Sequence, residues 1–312
     1  MRQMDVLIER IIEKKNPTVA GLDTRLEYLP EAFLQDILPG GVHGFEDAAQ
    51  AIYRYNCALV DALCDVVPAV KVQVAYYEMY GPAGMQCFEK TMAYAREKGL
   101  SVMADVKRND IGATAEAYAA AYIGRTDVGG DKLCAFPADF ATVNPYLGVD
   151  GIAPFLKQAA AYGTGIFALV KTSNPSSGQL QDMKVEDGRT VYETVGDLVE
   201  EWGADLVGAH GYSAVGAVVG ATYPAQGAAL RARMPHTFFL VPGYGAQGAT
   251  GADLAGCFDA RGLGAIVNAS RSILCAWKRR EGVSFAQAAR DEAIRMREDI
   301  AAGLAAAGKA MR

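Results

Sequence analysis

The chain has 312 residues, 51% of them hydrophobic and 21% charged, with a net charge of −6 at neutral pH. That balance is ordinary for a globular enzyme and argues against nucleic acid as the main partner. No apolar run approaches the ~20 residues of a membrane span, and the amino terminus reads as a charged amphipathic helix, not a signal peptide, so a cytoplasmic protein is expected.

Short β-rich runs alternate with helical patterns from one end to the other. The predicted strands are 18–23, 69–73, 101–105, 140–144, 165–171, 216–221, 237–241 and 264–268. Helical patterns lie between them at 45–64, 76–98, 114–122, 191–209 and 224–234. In the first of these, Phe45, Ala48, Ala49, Ile52, Leu59 and Leu63 approximate one face. Eight strand–helix units predict an α/β fold, a (β/α)₈ TIM barrel forming one domain over residues 1–312. A doubly wound sheet is the alternative. A barrel needs roughly 250 residues. The surplus falls in an amino-terminal helix, a carboxy-terminal helix from Ser284 to about Ala306, and a polar loop, 174–190, after the fifth strand. A long loop at that face is either a lid or a solvated insertion. Cys57, Cys64, Cys87, Cys134, Cys257 and Cys275 lack paired metal-binding spacing and read as reduced, mostly buried thiols. His43, His210 and His236 are far apart, so no zinc site is expected.

The third predicted strand ends in the most informative stretch, Ala104-Asp105-Val106-Lys107-Arg108-Asn109-Asp110-Ile111-Gly112. An apolar run that stops at a charged cluster reads as a strand delivering a site into a cleft. Strand side chains two apart share a face, so Asp105 and Lys107 are expected to point the same way. A lysine held between acids stays protonated. That suits proton donation to carbon and not a Schiff base, for which the amine must first lose its proton.

In a barrel the chemistry sits at the carboxyl ends of the strands. Those ends supply Asp23, Lys71, Asp105 with Lys107, Asn144, Lys171-Thr172-Ser173, Pro242 with the glycine-rich run through Gln247, and Asn268-Ala269-Ser270-Arg271. Lys71 could join Asp105 and Lys107 in a self-neutralising chain, which is either catalytic or a structural ion-pair network. Glycines in 243–251 let backbone N–H groups converge on an anion, and Ser270-Arg271-Ser272 opens a short helix with a forked guanidinium. These two loops predict a phosphate site; a flexible loop beside a surface arginine is the alternative. Lys171 stands where an aldolase of this fold carries its Schiff-base lysine, but no neighbour is evident to depress its pKa. Asp110, with Thr114 one turn on, lies past the strand and before a helix. Capping that helix is one role for it, and projection away from its own barrel mouth is another.

Gly21-Leu22-Asp23, Val70-Lys71-Val72-Gln73, Asp105-Val106-Lys107-Arg108-Asn109-Asp110-Ile111, Val170-Lys171-Thr172-Ser173-Asn174-Pro175, the run 242–248 and Ser270-Arg271-Ser272 occur in order over nearly the whole chain. In that order they resemble the orotidine 5′-phosphate decarboxylase family. Thr142-Val143-Asn144-Pro145-Tyr146-Leu147-Gly148 and the long inserts are similar to its longer-chain bacterial branch. The resemblance implies conversion of orotidine 5′-phosphate to uridine 5′-phosphate and CO₂, the last step of de novo UMP synthesis, with no cofactor or metal. It implies that Lys107 protonates C6 of the pyrimidine, that Asp105 sits near the departing carboxylate, and that Lys71 anchors the charged array. Asp23 would bind the ribose, Ser173 the pyrimidine amide, and Gln247 and Arg271 the phosphate, with Pro242 and Ser270 in the adjoining segments. Asn144 would lie at the substrate site without an assigned contact. Asp110 and Thr114 would enter the neighbouring subunit's site in a homodimer. Ser270 departs from shorter members, which have glycine before the arginine. Two other readings stay open: a Mg²⁺-dependent sugar-phosphate decarboxylase or synthase of the same barrel superfamily, which carries a similar Asp-x-Lys-x-x-Asp motif, and a non-catalytic nucleotide-binding protein.

Overall fold

The computed structural model describes residues 1–245 and 248–311. Eight parallel strands close into a barrel in chain order: β1 (Thr18–Gly21), β2 (Ala69–Gln73), β3 (Ser101–Arg108), β4 (Phe140–Val143), β5 (Gly165–Lys171), β6 (Val215–Val219), β7 (Phe239–Pro242) and β8 (Ala265–Ala269). Closure runs through β8 and β1, where Thr18 pairs with Val267 and Ala20 with Ala269. Parallel neighbours need long crossovers. The longer helices are α1 (Gln3–Lys14), α2 (Phe45–Leu63), α3 (Gly81–Glu97), α4 (Gly112–Ile123), α5 (Val149–Tyr162), α6 (Val191–Trp202), α7 (Pro224–Arg233) and α8 (Phe285–Ala306). The TIM barrel predicted from the strand–helix alternation is the observed fold, and a closed strand order rules out the doubly wound sheet.

The barrel changes character along its axis. Side chains alternate across a strand, so one series of positions fills the interior. At the amino ends this series is apolar: Val19, Ala69, Met103, Phe140, Phe167 and Ile266. They share one buried cluster with Met4, Leu7, Ile8 and Ile11 of α1, all fully buried. Helix α1 therefore lies across the amino-terminal mouth. It is held there by Gln3 N–H donating to Gly163 O (2.7 Å) and by Asp5 Oδ1 accepting from His210 N–H (3.1 Å). Two residues further along four of these strands the series turns polar, with Lys71, Asp105, Thr142 and Asn268 all buried.

Several elements depart from the sequence reading for identifiable reasons. The pattern at 76–98 is two helices, Ala75–Glu78 and α3, because Gly81 takes φ +58° and Pro82 follows it. The pattern at 191–209 stops at Trp202, before Gly203 and a 3₁₀ turn at Ala204–Leu206. An exposed hairpin, Thr126–Val128 with Asp131–Leu133, was not anticipated; Gly129 and Gly130 turn it at φ +63° and +95°. Of the six cysteines only Cys87 and Cys257 are buried, so the expectation of mostly buried thiols was too broad. No helix is long and apolar enough to cross a membrane among the described residues.

The α1 plug supplies the barrel floor, so its removal is felt as a cavity. Replacing fully buried Ile8 by alanine is expected to lower the unfolding free energy by about 2–5 kcal/mol. Urea denaturation checks this: the midpoint should fall, with an unchanged slope.

Candidate active site

Four charged side chains converge where the barrel interior turns polar. Lys71 Nζ donates to Asp105 Oδ2 at 2.8 Å and to Asp23 Oδ1 at 3.2 Å. Lys107 Nζ donates to Asp105 Oδ1 at 2.6 Å. The order Asp23–Lys71–Asp105–Lys107 is thus a continuous, self-neutralising chain. Register places it, since Gly21 of β1 pairs with Lys71, and Gln73 of β2 with Asp105. Burial alone would push the Asp105 carboxyl up, but Lys71 and Lys107 outweigh it and hold the group well below the ordinary carboxylate range. Burial would likewise lower Lys71, and Asp105 and Asp23 overcome it and raise the ammonium above the usual lysine range. Lys71 is 4% exposed, whereas the Lys107 side chain is 46% exposed. The first is locked in place and the second faces open space.

Lys107 reaches Asp105 by a route that simple alternation does not describe. Between Ala104 and Arg108, β3 advances four residues while β4 advances two, from Ala141 to Val143. Lys107 takes φ +45° in this bulge. Thr142, the β4 residue opposite the gap, accepts hydrogen bonds from Val106 N–H and Lys107 N–H, both at 2.9 Å, and donates to Asp105 Oδ1 at 2.9 Å. Gln73 Nε2 donates to Asp105 Oδ2 at 3.0 Å. Sequence reasoning assigned neither residue a role. Period two could have flagged both, since Gln73 lies two beyond Lys71 and Thr142 two before Asn144.

Across the mouth, an open cavity of about 310 Å³ is lined by Asp23, Tyr28, Ser173, Pro242, Asn268 and Arg271, among others. Arg271 opens a four-residue helical turn, Arg271–Leu274. It is exposed, and its guanidinium has no hydrogen bond or ion pair among the described residues. Ser270 lies close over β1: a Cβ on Gly21 would fall 2.0 Å from Ser270 Oγ, so any side chain there would force Ser270 to shift. The Ser270 hydroxyl accepts from Asn268 Nδ2 at 3.3 Å, and Asn268 Oδ1 is buried with no partner among the described residues. Gln247 lies outside the described residues. Asn144 Oδ1 accepts from Tyr146 N–H at 3.0 Å, capping the turn Pro145–Leu147.

Lys171 is 1% exposed and fully engaged. It donates to Asp182 Oδ1 at 2.7 Å and Ser177 Oγ at 3.3 Å and lies over the Tyr192 and Tyr223 rings. Gln181 adds bonds to Thr172 N–H and Oγ1. The loop 174–190 is therefore anchored to the end of β5 beside Ser173, and Lys171 is its tether, which leaves no support for a Schiff-base role. Asp110 and Thr114 stay away from the array. Asp110 Oδ1 accepts from Ile111 N–H at 2.8 Å, and the carboxylate makes no ion pair among the described residues. Thr114 is exposed on the first turn of α4.

Comparison with known proteins assigns the family. Residues 45–284 match the Orotidine 5′-phosphate decarboxylase / HUMPS family. The orotidine 5′-phosphate decarboxylase of Rhodopirellula baltica is 45% identical over 271 residues, 87% of each chain. That of Clostridium acetobutylicum is 40% identical over 300 residues, 95% of this chain and 99% of the relative. Among solved structures, the OMP decarboxylase of Leishmania donovani superposes with a TM-score of 0.75 at 28% identity, covering 97% of this chain and 99% of the other. By its sequence match over most of its length and by its closed barrel, the chain belongs to the orotidine 5′-phosphate decarboxylase family.

Proposed function

We propose that the protein decarboxylates orotidine 5′-phosphate to uridine 5′-phosphate and CO₂, completing de novo UMP synthesis in the cytoplasm. The observation that carries this reading is the fixed Asp23–Lys71–Asp105–Lys107 chain facing a mouth whose Arg271 is uncompensated. Loss of CO₂ breaks the C6–carboxylate bond and leaves the electron pair on C6. The Lys107 ammonium stabilises that charge and delivers its proton to C6; the amine then regains a proton from water. At an effective dielectric near 20, one such charge at ~4 Å is worth about 4 kcal/mol, or roughly a thousandfold in rate. Asp105 crowds the substrate carboxylate, Lys71 fixes Asp105, and Asp23 is placed for the ribose. Ser173 faces the pyrimidine. Arg271, with Gln247, grips the phosphate, and binding energy from that remote group assembles the reacting end.

The Mg²⁺-dependent alternative fits the donor set less well. Both Asp105 oxygens each accept two hydrogen bonds from protein groups, so its lone pairs are already used. A mere binding protein has no need of a carboxylate held ionised beside an anionic ligand.

The second subunit enters this proposal through α4. Its sequence, GATAEAYAAAYI, carries one charge, yet Ala113, Thr114 and Ala117 are exposed, as is Ile111 just before it. An apolar helix with exposed faces fits an interface. It would present Asp110 and Thr114 to a partner's mouth in a homodimer.

Three outcomes test the reading. Lys107→Ala should reduce turnover, followed by loss of orotidylate absorbance, by at least about a thousandfold, while UMP binding persists; near-normal turnover would sink the mechanism. Mixing Asp110→Ala with Lys71→Ala subunits should restore up to about a quarter of wild-type activity, since half the dimers are mixed and one of their two sites is whole. No recovery after proven exchange would refute a shared site. Asp105 has its pKa depressed by folding, so its stabilising contribution is complete above about pH 4 and is lost as pH falls through its lower folded value. The kcat profile should accordingly show no acid limb from Asp105 above about pH 4. An apparent pKa near 5 or 6 in kcat that Asp105→Asn removes would contradict this.

A further inference from the structure

The Thr142 hydroxyl is buried in β4 and fully committed. A hydroxyl has one proton and two lone pairs. The Val106 and Lys107 amides can only donate, so they occupy both lone pairs, and the single proton is left for Asp105 Oδ1. No other assignment of the hydrogen satisfies the three contacts. Asp105 Oδ1 in turn receives the Lys107 ammonium. The result is a closed ring, from the Lys107 amide through Thr142 Oγ1 and Asp105 Oδ1 back to the Lys107 Nζ. The two ends of one lysine are thus tied to two oxygens that are bonded to each other. At φ +45° Lys107 has a backbone conformation disfavoured for any residue with a Cβ. Such an outlier persists only where its surroundings over-determine it, and here the surroundings include Thr142.

We propose that Thr142 is a positioning residue for the decarboxylation. It holds the Lys107 backbone in the left-handed bulge and the Asp105 carboxylate in one rotation, so that ammonium and carboxylate present a single geometry to the substrate. This rests on the function proposed above. An ordinary bulge would need its two amides satisfied, and any acceptor would serve. A hydroxyl is required only if the third bond, to Asp105, matters as well. Valine keeps the shape without the hydroxyl, alanine removes bulk, and serine keeps the hydroxyl.

The test uses full-length Thr142→Val, Thr142→Ala and Thr142→Ser proteins. It measures kcat and KM for orotidine 5′-phosphate, UMP affinity by calorimetry, and thermal midpoints. Loss of a hydrogen bond to a charged group predicts a fall in kcat of roughly 10- to 100-fold for Val and Ala. KM and UMP affinity should stay within about threefold, and Ser should stay within about threefold of wild-type kcat. Wild-type kcat in Val or Ala would overturn the proposal, as would a serine variant no better than valine. Failure of both Val and Ala to fold would overturn it too, since the hydroxyl would then serve the fold first. A wild-type protein silent on orotidine 5′-phosphate would instead refute the proposed function, so the two failures are separable.

Discussion

The Asp105 carboxylate is the centre on which the rest of the site depends. It is 6% exposed and accepts four hydrogen bonds, from Lys71 and Gln73 of β2, Lys107 of its own strand and Thr142 of β4. A buried carboxylate is costly unless every lone pair is met. Meeting them here draws on three strands in succession, which only a sheet curved into a barrel brings around one point. In return the ionised carboxylate allows an ammonium to exist at the depth of Lys71. Neither charge would be tolerable without the other.

The mouth has two halves built on opposite principles. On the β2–β4 side charges are compensated within the protein, so the array exists before any ligand arrives and needs no rearrangement when charge develops. On the β8 side the Arg271 guanidinium is left without a partner among the described residues, and the turn that carries it is drawn close to β1 by the absence of a side chain at Gly21. One side is complete in itself, and on the proposed function the other is completed by the phosphate. That division suits an enzyme whose gripping group and reacting carbon lie at opposite ends of the substrate.

The strand–helix alternation and the strand-end polar residues were legible in the sequence because both follow from period. All eight predicted strands overlap the observed ones, β2 and β5 residue for residue and the others with ends displaced by one to three residues. What escaped reading depends on contacts between strands. At the bulge the Val106 and Lys107 amides both donate to the Thr142 hydroxyl on the neighbouring strand, and no local pattern in 101–108 announces it. Lys171 looked like a free strand-end amine because its partner, Asp182, lies in a loop whose folding back is non-local. The break at Gly81-Pro82 and the Gly129-Gly130 hairpin were written in turn residues but masked by the apolar periodicity around them. Asp110 remained ambiguous for a different reason. Its bond goes to the adjacent Ile111 amide and caps nothing, since Ile111 itself holds the N-cap position without a side-chain cap, and the carboxylate makes no ion pair among the described residues.

The plug formed by α1 has a consequence for traffic. With Met4, Leu7, Ile8 and Ile11 sealing the floor against Val19, Phe140 and Phe167, the barrel is a blind well. Substrate, the released gas and product share one opening. On the proposed reaction CO₂ is freed beneath a nucleotide still held by its phosphate, above a floor of packed hydrocarbon that offers it no exit. On that reading it leaves past the product or after it, so the order of departure is decided at the rim, where the proposed grip of Arg271 on the phosphate would set how long the well stays covered.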